Sequence, residues 1–303
     1  MSEFHSGFVA IVGRPNTGKS TLINALVGSK IAITSPHPNT TRHAIRGIVN
    51  QPTFQAVLVD TPGIHKPKTL LGSRLNSMVS ENLESVDAVL ICLPADEEVG
   101  FGDEYIAKQV LNQRRVFIAV TKTDSVKQEV LLAKLIEVGE FAKRVGLSVA
   151  EIVPISAKNL EQTELLLNLL AEKLPVSPSL YPEDITTDQA SEMTITELIR
   201  EAAIENLYEE VPHSIVVTID EMEKREGKDF FDIHATLHVE RDSQKSIVIG
   251  PQGSRLKDIG VRARGSVETF LDAKIYLGLH VKVSKEWQRD AKALTKLGFI
   301  ERK

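Results

Sequence analysis

The chain of 303 residues is 42% hydrophobic and 25% charged, carries a net charge of −5 and has a single cysteine. Such a composition suits a soluble chain long enough for about two domains, and it excludes a disulfide framework. No apolar run approaches the roughly 18 to 20 residues of a membrane span, and Met1-Ser2-Glu3-Phe4-His5 lacks the layout of a signal peptide, so a cytoplasmic protein is expected. The charge is uneven: residues 241–303 hold 14 Lys and Arg against 7 Asp and Glu, a net of +7 that leaves −12 on residues 1–240. A basic end on an acidic body points to a polyanion met by the C-terminal region alone.

Residues 8–12 are apolar and read as a strand, Gly13 breaks it, and Leu22, Ile23, Leu26 and Val27 resume at helical spacing. The loop between is Gly13-Arg14-Pro15-Asn16-Thr17-Gly18-Lys19-Ser20, a G-x-x-x-x-G-K-S stretch that follows a strand and opens a helix. Consecutive backbone N–H groups there make a concave anion site, reinforced by the positive end of the helix. Lys19 would reach β and γ phosphates, and the Ser20 hydroxyl would coordinate Mg²⁺. The bland alternative is a strand-to-helix turn with a solvated lysine. Residues 34–43 are polar and broken by prolines, a long surface loop. Strands at 45–50 and 54–59 form a hairpin around Gln51-Pro52-Thr53. Then follow a helix (76–85), a strand (86–93, holding Cys92 as a buried core thiol), and a helix (103–112). A strand (116–120), a helix (130–144), a strand (152–155) and a helix (163–174) complete the series. The alternation predicts an α/β domain over residues 1–175, a mostly parallel sheet covered on both faces with one antiparallel hairpin at its edge. Its ligands belong at the carboxyl ends of the strands.

Pro175, Pro178 and Pro182 lie in a stretch without periodicity, read as a stiff, extended linker over 176–190. The region 191–303 has a different pattern. A helix over 192–209 is stopped by Pro212, and two strands (214–221 and 230–240) flank a turn at Glu226-Gly227-Lys228. A short apolar strand (246–249), Gly250-Pro251-Gln252-Gly253, a helical stretch (254–271), a strand (274–283) and a last helix from Lys285 follow. Trp287 is expected to pack that last helix. The eight histidines show no metal-ligand spacing.

Three further motifs stand at strand ends. Asp60-Thr61-Pro62-Gly63 comes 40 residues after Ser20, where an aspartate can hold Mg²⁺ through a water and the Gly63 N–H can register a γ-phosphate. In Thr121-Lys122-Thr123-Asp124 the Asp124 carboxylate can accept from N1–H and the exocyclic amine of guanine, which adenine lacks in that arrangement. Losing such a buried pair costs on the order of 10⁴-fold, so guanine is expected. Ser156-Ala157-Lys158 would close over the base, the Ala157 N–H facing O6 and the Lys158 stem lying on the ring.

These four motifs in this order resemble those of translation-factor-type GTPases, and Thr40-Thr41-Arg42 resembles their switch I. With Tyr181-Pro182-Glu183-Asp184 and Val248-Ile249-Gly250-Pro251-Gln252-Gly253 added, the likeness covers nearly the whole chain and is to the Era family of bacterial GTPases. Membership implies a Ras-like P-loop GTPase domain followed by an α+β type II KH domain. That second domain would bind the 3′ end of small-subunit rRNA in 30S assembly. It implies phosphate contacts from Gly13, Arg14, Pro15, Asn16, Thr17, Gly18, Lys19, Ser20 and Thr21 and from Asp60, Thr61, Pro62, Gly63 and Ile64. Switch I would be Asn39, Thr40, Thr41 and Arg42. Guanine contacts would come from Thr121, Lys122, Thr123, Asp124, Ser156, Ala157 and Lys158, and Mg²⁺ ligands from Ser20, Thr41 and Asp60. The cofactors implied are GTP/GDP and Mg²⁺. At Asn16 either a potassium ligand or a plain turn residue fits. The resemblance further implies a monomer, with visits to the inner face of the membrane as some of the family are thought to make.

Two positions depart from the usual GTPase pattern. Thr121 stands where Asn is usual, and one hydroxyl cannot serve both the base and the phosphate loop. Ile64 stands where Ras-like enzymes orient water with glutamine, so slow unaided turnover is expected.

At the basic end, G-x-x-G after a strand and opening a helix, followed by basic residues, is read as an RNA site of Gly250, Pro251, Gln252, Gly253, Ser254, Arg255, Lys257 and Arg262. A solvated basic helix face is the alternative. Three functional readings stand: a GTP hydrolase whose nucleotide state controls RNA binding, a GTP-gated assembly factor that turnover only resets, and a P-loop ATPase, which Asp124 disfavours.

Overall fold

In the computed structural model the apolar run before Gly13 forms β1 (His5–Val12), and the turn at Gly13–Gly18 leads into α1 (Lys19–Val27). Residues 3–35, 37, 40–64, 67, 69–205, 207 and 211–299 are described; Asn39 of the expected switch I lies outside them. The hairpin is β2 (Ile45–Gln51) and β3 (Phe54–Asp60), antiparallel and in register from Ile45 opposite Asp60 to Gln51 opposite Phe54. After it come α2 (Leu70–Glu84), β4 (Ala88–Pro94), α3 (Phe101–Gln109), β5 (Val116–Thr121), α4 (Gln128–Val145), β6 (Val149–Pro154) and α5 (Thr163–Ala171). Contacts divide the chain into two units, residues 1–66 with 75–188, and residues 67–74 with 189–303.

In the first unit a six-stranded sheet runs β2-β3-β1-β4-β5-β6, parallel except for β2. Strand alternation decides which core each residue joins. Val9 and Ile11 of β1 join Leu22, Ile23 and Leu26 of α1 and Leu166 and Leu170 of α5; Ala10 and Val12 join Val79, Ile106, Val138 and Phe141 from the helices of the other face. Cys92 is fully buried in the first core, and burial pushes its thiol up to about 12. Both faces being covered explains why β3 and β4 are buried throughout and why their apolar residues run on rather than alternate.

The proline-rich stretch is extended, and it is tied to the outer edge of β2. The Ile48 N–H donates to the Thr186 carbonyl (2.8 Å), Gln55 Oε1 accepts from the N–H groups of Leu180 and Tyr181 (2.7 and 2.9 Å), and Arg46 pairs with Asp188 (2.8 Å). An exposed sheet edge is thereby closed.

The second unit is built from α6 (Ser191–Ile204), α7 (Val211–Ser214), β7 (Val216–Lys224), β8 (Phe230–Val239), α8 (Asp242–Ile249), α9 (Ser254–Leu271), β9 (Lys274–Val283) and α10 (Ala291–Lys296). Its sheet runs β7-β8-β9, with β7/β8 antiparallel and β8/β9 parallel. Ile199, Ile259, Ala263, Val267, Ile233, Leu237 and Val281 are buried. Three expectations need correction. Residues 246–249 are the last turn of α8, not a strand: Gln244 Oε1 accepts from the N–H groups of Glu240 and Arg241 (2.8 and 3.1 Å), which starts a helix where the apolar run alone reads as extended. Pro212 sits within α7, its ring tolerated in a first turn. The last helix starts at Ala291, not at Lys285, and Trp287 lies in the turns before it, fully buried, its Nε1–H donating to the Ser214 carbonyl (2.9 Å). Residues 67–74 belong here too, the Leu71 N–H donating to the Gln288 carbonyl (3.0 Å).

Candidate functional site

The loop after β1 is shaped by close approach. A Cβ on Gly13 would lie 2.6 Å from Thr17 Oγ1 and 2.9 Å from the Cys92 carbonyl, so only glycine fits. Lys19 is buried, and its ammonium donates to the carbonyls of Gly13 (3.0 Å) and Arg14 (2.7 Å), closing the loop on itself. Burial lowers its pKa from the usual range; nearby Asp60 works against that.

Three oxygens from three segments converge next to it. Ser20 Oγ at the start of α1 and Thr41 Oγ1 in the switch I stretch lie 2.9 Å apart, and both meet Asp60 Oδ2 at the end of β3, at 2.8 and 3.2 Å. Burial pushes Asp60 up to about 6, although Lys19 and the two hydroxyls pull it down. Its other oxygen, Oδ1, is buried and has no hydrogen-bond partner among the described residues. A buried carboxylate oxygen with unused lone pairs, beside two hydroxyls, suits a hard, oxygen-ligated dication.

Past Asp60, the Thr61 hydroxyl donates to the Ile11 carbonyl (2.7 Å), Pro62 and Gly63 are buried, and the Ile64 N–H faces the Gly13 carbonyl at 3.4 Å. The cleft over these groups is lined by Pro15, Asn16, Gly18, Lys19, Ser20, Thr21, Thr40, Thr41 and Gly63, and also by Ile33, Thr34 and Ser35, which no motif marks. Arg42 is buried.

The base end is assembled from the tips of β5 and β6. Ser156 Oγ donates to Asp124 Oδ1 (2.8 Å), which fixes the carboxylate and joins the two motifs, and the Asn159 N–H donates back to Ser156 Oγ (3.1 Å). Lys122 has a positive φ of 58°, and Ser125 Oγ donates to its carbonyl (2.6 Å). Thr123 is half-buried, Ala157 packs against the first core and Lys158 is exposed. Thr121 is buried, and its one hydroxyl proton goes to the Thr17 carbonyl at 2.6 Å. That residue therefore ties β5 to the phosphate loop and has no donor left for a base.

In the second unit Gly250-Pro251-Gln252-Gly253 joins two helices. Gly250 (φ 71°), Gln252 (φ 51°) and Gly253 (φ 76°) all have positive φ, and a Cβ on Gly253 would meet nothing within 4 Å. Pro251, Gln252, Ser254 and Lys257 are exposed. Arg255 reaches back over the loop to the Ile247 carbonyl (2.6 Å). Arg262 is held by Asp258 (2.9 Å) and by Glu205, so its charge is locally compensated.

Comparison with known proteins agrees with this division. A family model described as 50S ribosome-binding GTPase matches residues 8–122, and one described as KH domain matches residues 210–288. The chain is 52% identical over 304 residues to a Mycobacterium tuberculosis protein called GTPase Era, covering 99% of this chain and 100% of that one. The protein of the same name from Mycolicibacterium smegmatis is 52% identical over 303 residues, with 99% and 100% covered. A crystal structure of Era in complex with MgGDPNP and nucleotides 1506–1542 of 16S ribosomal RNA superimposes with a TM-score of 0.92 at 36% identity, over 98% of this chain and 99% of that one.

Proposed function

The chain belongs to the Era family of GTPases, and from that premise we propose that its bound guanine nucleotide controls its hold on the 3′ end of small-subunit rRNA during 30S assembly. It hydrolyses GTP to GDP and phosphate. Backbone N–H groups of residues 13–20, Pro15 excepted, hold the phosphates and Lys19 faces their outer charges. Ser20, Thr41 and Asp60 hold Mg²⁺, which when bound neutralises charge on the phosphates. The Gly63 N–H and switch I, Thr40 to Arg42 with Asn39, register the γ-phosphate. Asp124, fixed by Ser156, selects guanine; the Ala157 N–H meets O6, and the Lys122 and Lys158 stems cover the ring. The RNA backbone lies against Gly250 to Gly253, with Ser254, Arg255 and Lys257 beside it.

The observation that carries this reading is the meeting of the Ser20 and Thr41 hydroxyls on one oxygen of Asp60, whose other oxygen is buried with no hydrogen-bond partner among the described residues. Three segments far apart in sequence come together where one dication would join a phosphate loop to two switches. Ile64 is buried and apolar, with no group to orient water, which supports slow unaided turnover and a cycle limited by its activator. A potassium ion held by Asn16, a monomer working in the cytoplasm, and visits to the inner membrane face complete the reading. Among the described residues no helix is long and apolar enough to cross a membrane. We divide the chain into a GTPase domain (1–175), a linker (176–190) and an RNA-binding domain (191–303).

The test is a fluorescence anisotropy titration of a small-subunit rRNA 3′-end oligonucleotide with protein loaded with a non-hydrolysable GTP analogue or with GDP. Binding about 5-fold or more tighter in the GTP state is expected, in the usual range of coupling between sites. Equal affinity in both states overturns the gating.

A further inference from the structure

The loop between β4 and α3, residues 95–100, belongs to no nucleotide motif, yet it touches two of them. Arg14 leaves the phosphate loop and lies along α3, where its Nε donates to Asp103 Oδ1 (2.8 Å). The path depends on Gly102, since a Cβ there would lie 2.6 Å from Arg14 Cδ. Another arm of the guanidinium meets Glu97 Oε2 at 3.1 Å. The second oxygen of the same carboxylate, Glu97 Oε1, faces Lys122 Nζ at 3.4 Å, and Asp96 adds a further carboxylate at 3.3 Å. One glutamate thus bridges a cation of the phosphate loop and a cation of the base loop.

The bridge has a fixed support. From the other side, buried Lys134 of α4 donates to the Glu97 carbonyl and pairs with Glu137 (3.0 Å), whose Oε1 accepts from the Val99 N–H (2.9 Å). Asp103, 1% exposed, accepts from Arg14 and also from the Gly100 N–H (2.9 Å). At the far end Lys122 keeps a left-handed backbone, φ 58°, which a lysine holds only where its surroundings impose it.

We propose that Glu97 is a positioning residue for the guanine nucleotide. It holds the Lys122 ammonium to one side, leaving the aliphatic stem to lie on the purine, and it ties that placement to Arg14, so that base loop and phosphate loop hold the nucleotide as one unit. The inference rests on the guanine-nucleotide reading above. The side chains of Arg14, Lys122 and Glu97 are 25%, 32% and 39% exposed, so each ion pair is modest and screened by salt. The effect falls on nucleotide residence time rather than on folding.

Release of a fluorescent GDP analogue, followed by stopped flow in the full-length protein, tests it. Glu97→Gln is expected to speed release about 3- to 10-fold, the size set by losing two partly exposed ion pairs, with the melting temperature of the nucleotide-free protein unchanged. Wild-type release should accelerate along a sodium chloride series, and that dependence should shrink in Glu97→Gln. In a Lys122→Met background, which keeps the stem and removes the ammonium, Glu97→Gln should speed release by a smaller factor than in wild type. The same factor in both backgrounds, or release unaltered by Glu97→Gln, overturns the proposal. Failure of the wild-type protein to bind the GDP analogue overturns the guanine reading instead.

Discussion

The chain carries two glycine-containing loops that open helices, residues 13–20 and 250–253, and they are built in opposite ways. In the first, Thr17 and Lys19 are buried, Gly13 has no room for a Cβ, and the loop is tied by Lys19, by Thr121 and through Arg14 to Asp103. The second is exposed at Pro251 and Gln252, and open space lies beyond Gly253. A closed loop fixes its donors before the ligand arrives, which suits recognition at the level of single atoms and of charge developing during reaction. An open loop admits a polymer backbone and holds it by approach and by charge, which suits a long, flexible polyanion.

The largest effect that would separate the two belongs to the base reader attached to the closed loop. Asp124→Asn should shift preference from GTP to xanthosine triphosphate by about 10⁴-fold in relative affinity, because a carboxylate acceptor becomes an amide donor suited to the C2 carbonyl. Competition binding with both nucleotides measures it, and unchanged GTP preference places base reading elsewhere. Next, Lys19→Ala or Ser20→Ala should each cut GTP turnover by about 10³-fold, since one removes a phosphate cation and the other a metal ligand. Phosphate release assays check this, and RNA affinity of the nucleotide-free protein should stay as in wild type.

The open loop should answer more gently and in the other assay. Gly253→Asp adds bulk and negative charge where φ is 76°; RNA binding should weaken about 30- to 100-fold, in the range of 2 to 3 kcal/mol for strain plus repulsion, with GTP turnover unaltered. Normal RNA affinity in that variant would remove the loop from the RNA site. Lys257→Ala should cost a few-fold and lower the slope of log affinity against log salt by about 1. Arg262→Ala should lower that slope by less, because Asp258 and Glu205 already compensate its charge.

The smallest effect is an absence of discrimination. With its proton committed to the Thr17 carbonyl, Thr121 offers nothing to the imidazole edge of a purine, so 7-deaza-GTP should bind within about 2-fold of GTP. Thr121→Asn should improve GTP about 3- to 10-fold, one hydrogen bond's worth, and leave 7-deaza-GTP where it was. A wild-type protein that rejects 7-deaza-GTP would show that the hydroxyl turns to the base.

What the sequence by itself determined are the features made by neighbouring residues. The turn of Gly13 to Ser20 is set by glycines and a lysine within eight positions. The hairpin of β2 and β3, the helix–strand alternation and the positive-φ turn at Gly250 to Gly253 are likewise local, because steric limits on φ and ψ and the periods of apolar residues act over short range. Asp60 and Asp124 were legible as candidates because strand ends in such a sheet collect ligand-facing groups. Only the tertiary structure decided which partners those residues have. The hydroxyl of Thr121 ends on a carbonyl 104 residues away, Arg14 on an aspartate 89 residues away, and Arg262 pairs across 57 residues. No short-range pattern encodes such pairs, since each depends on how elements distant in the chain are packed together. The apolar run at 246–249 suits either state by itself, and the helix is selected partly by a short-range cap from Gln244 and partly by burial of Val248, which only the packed domain supplies.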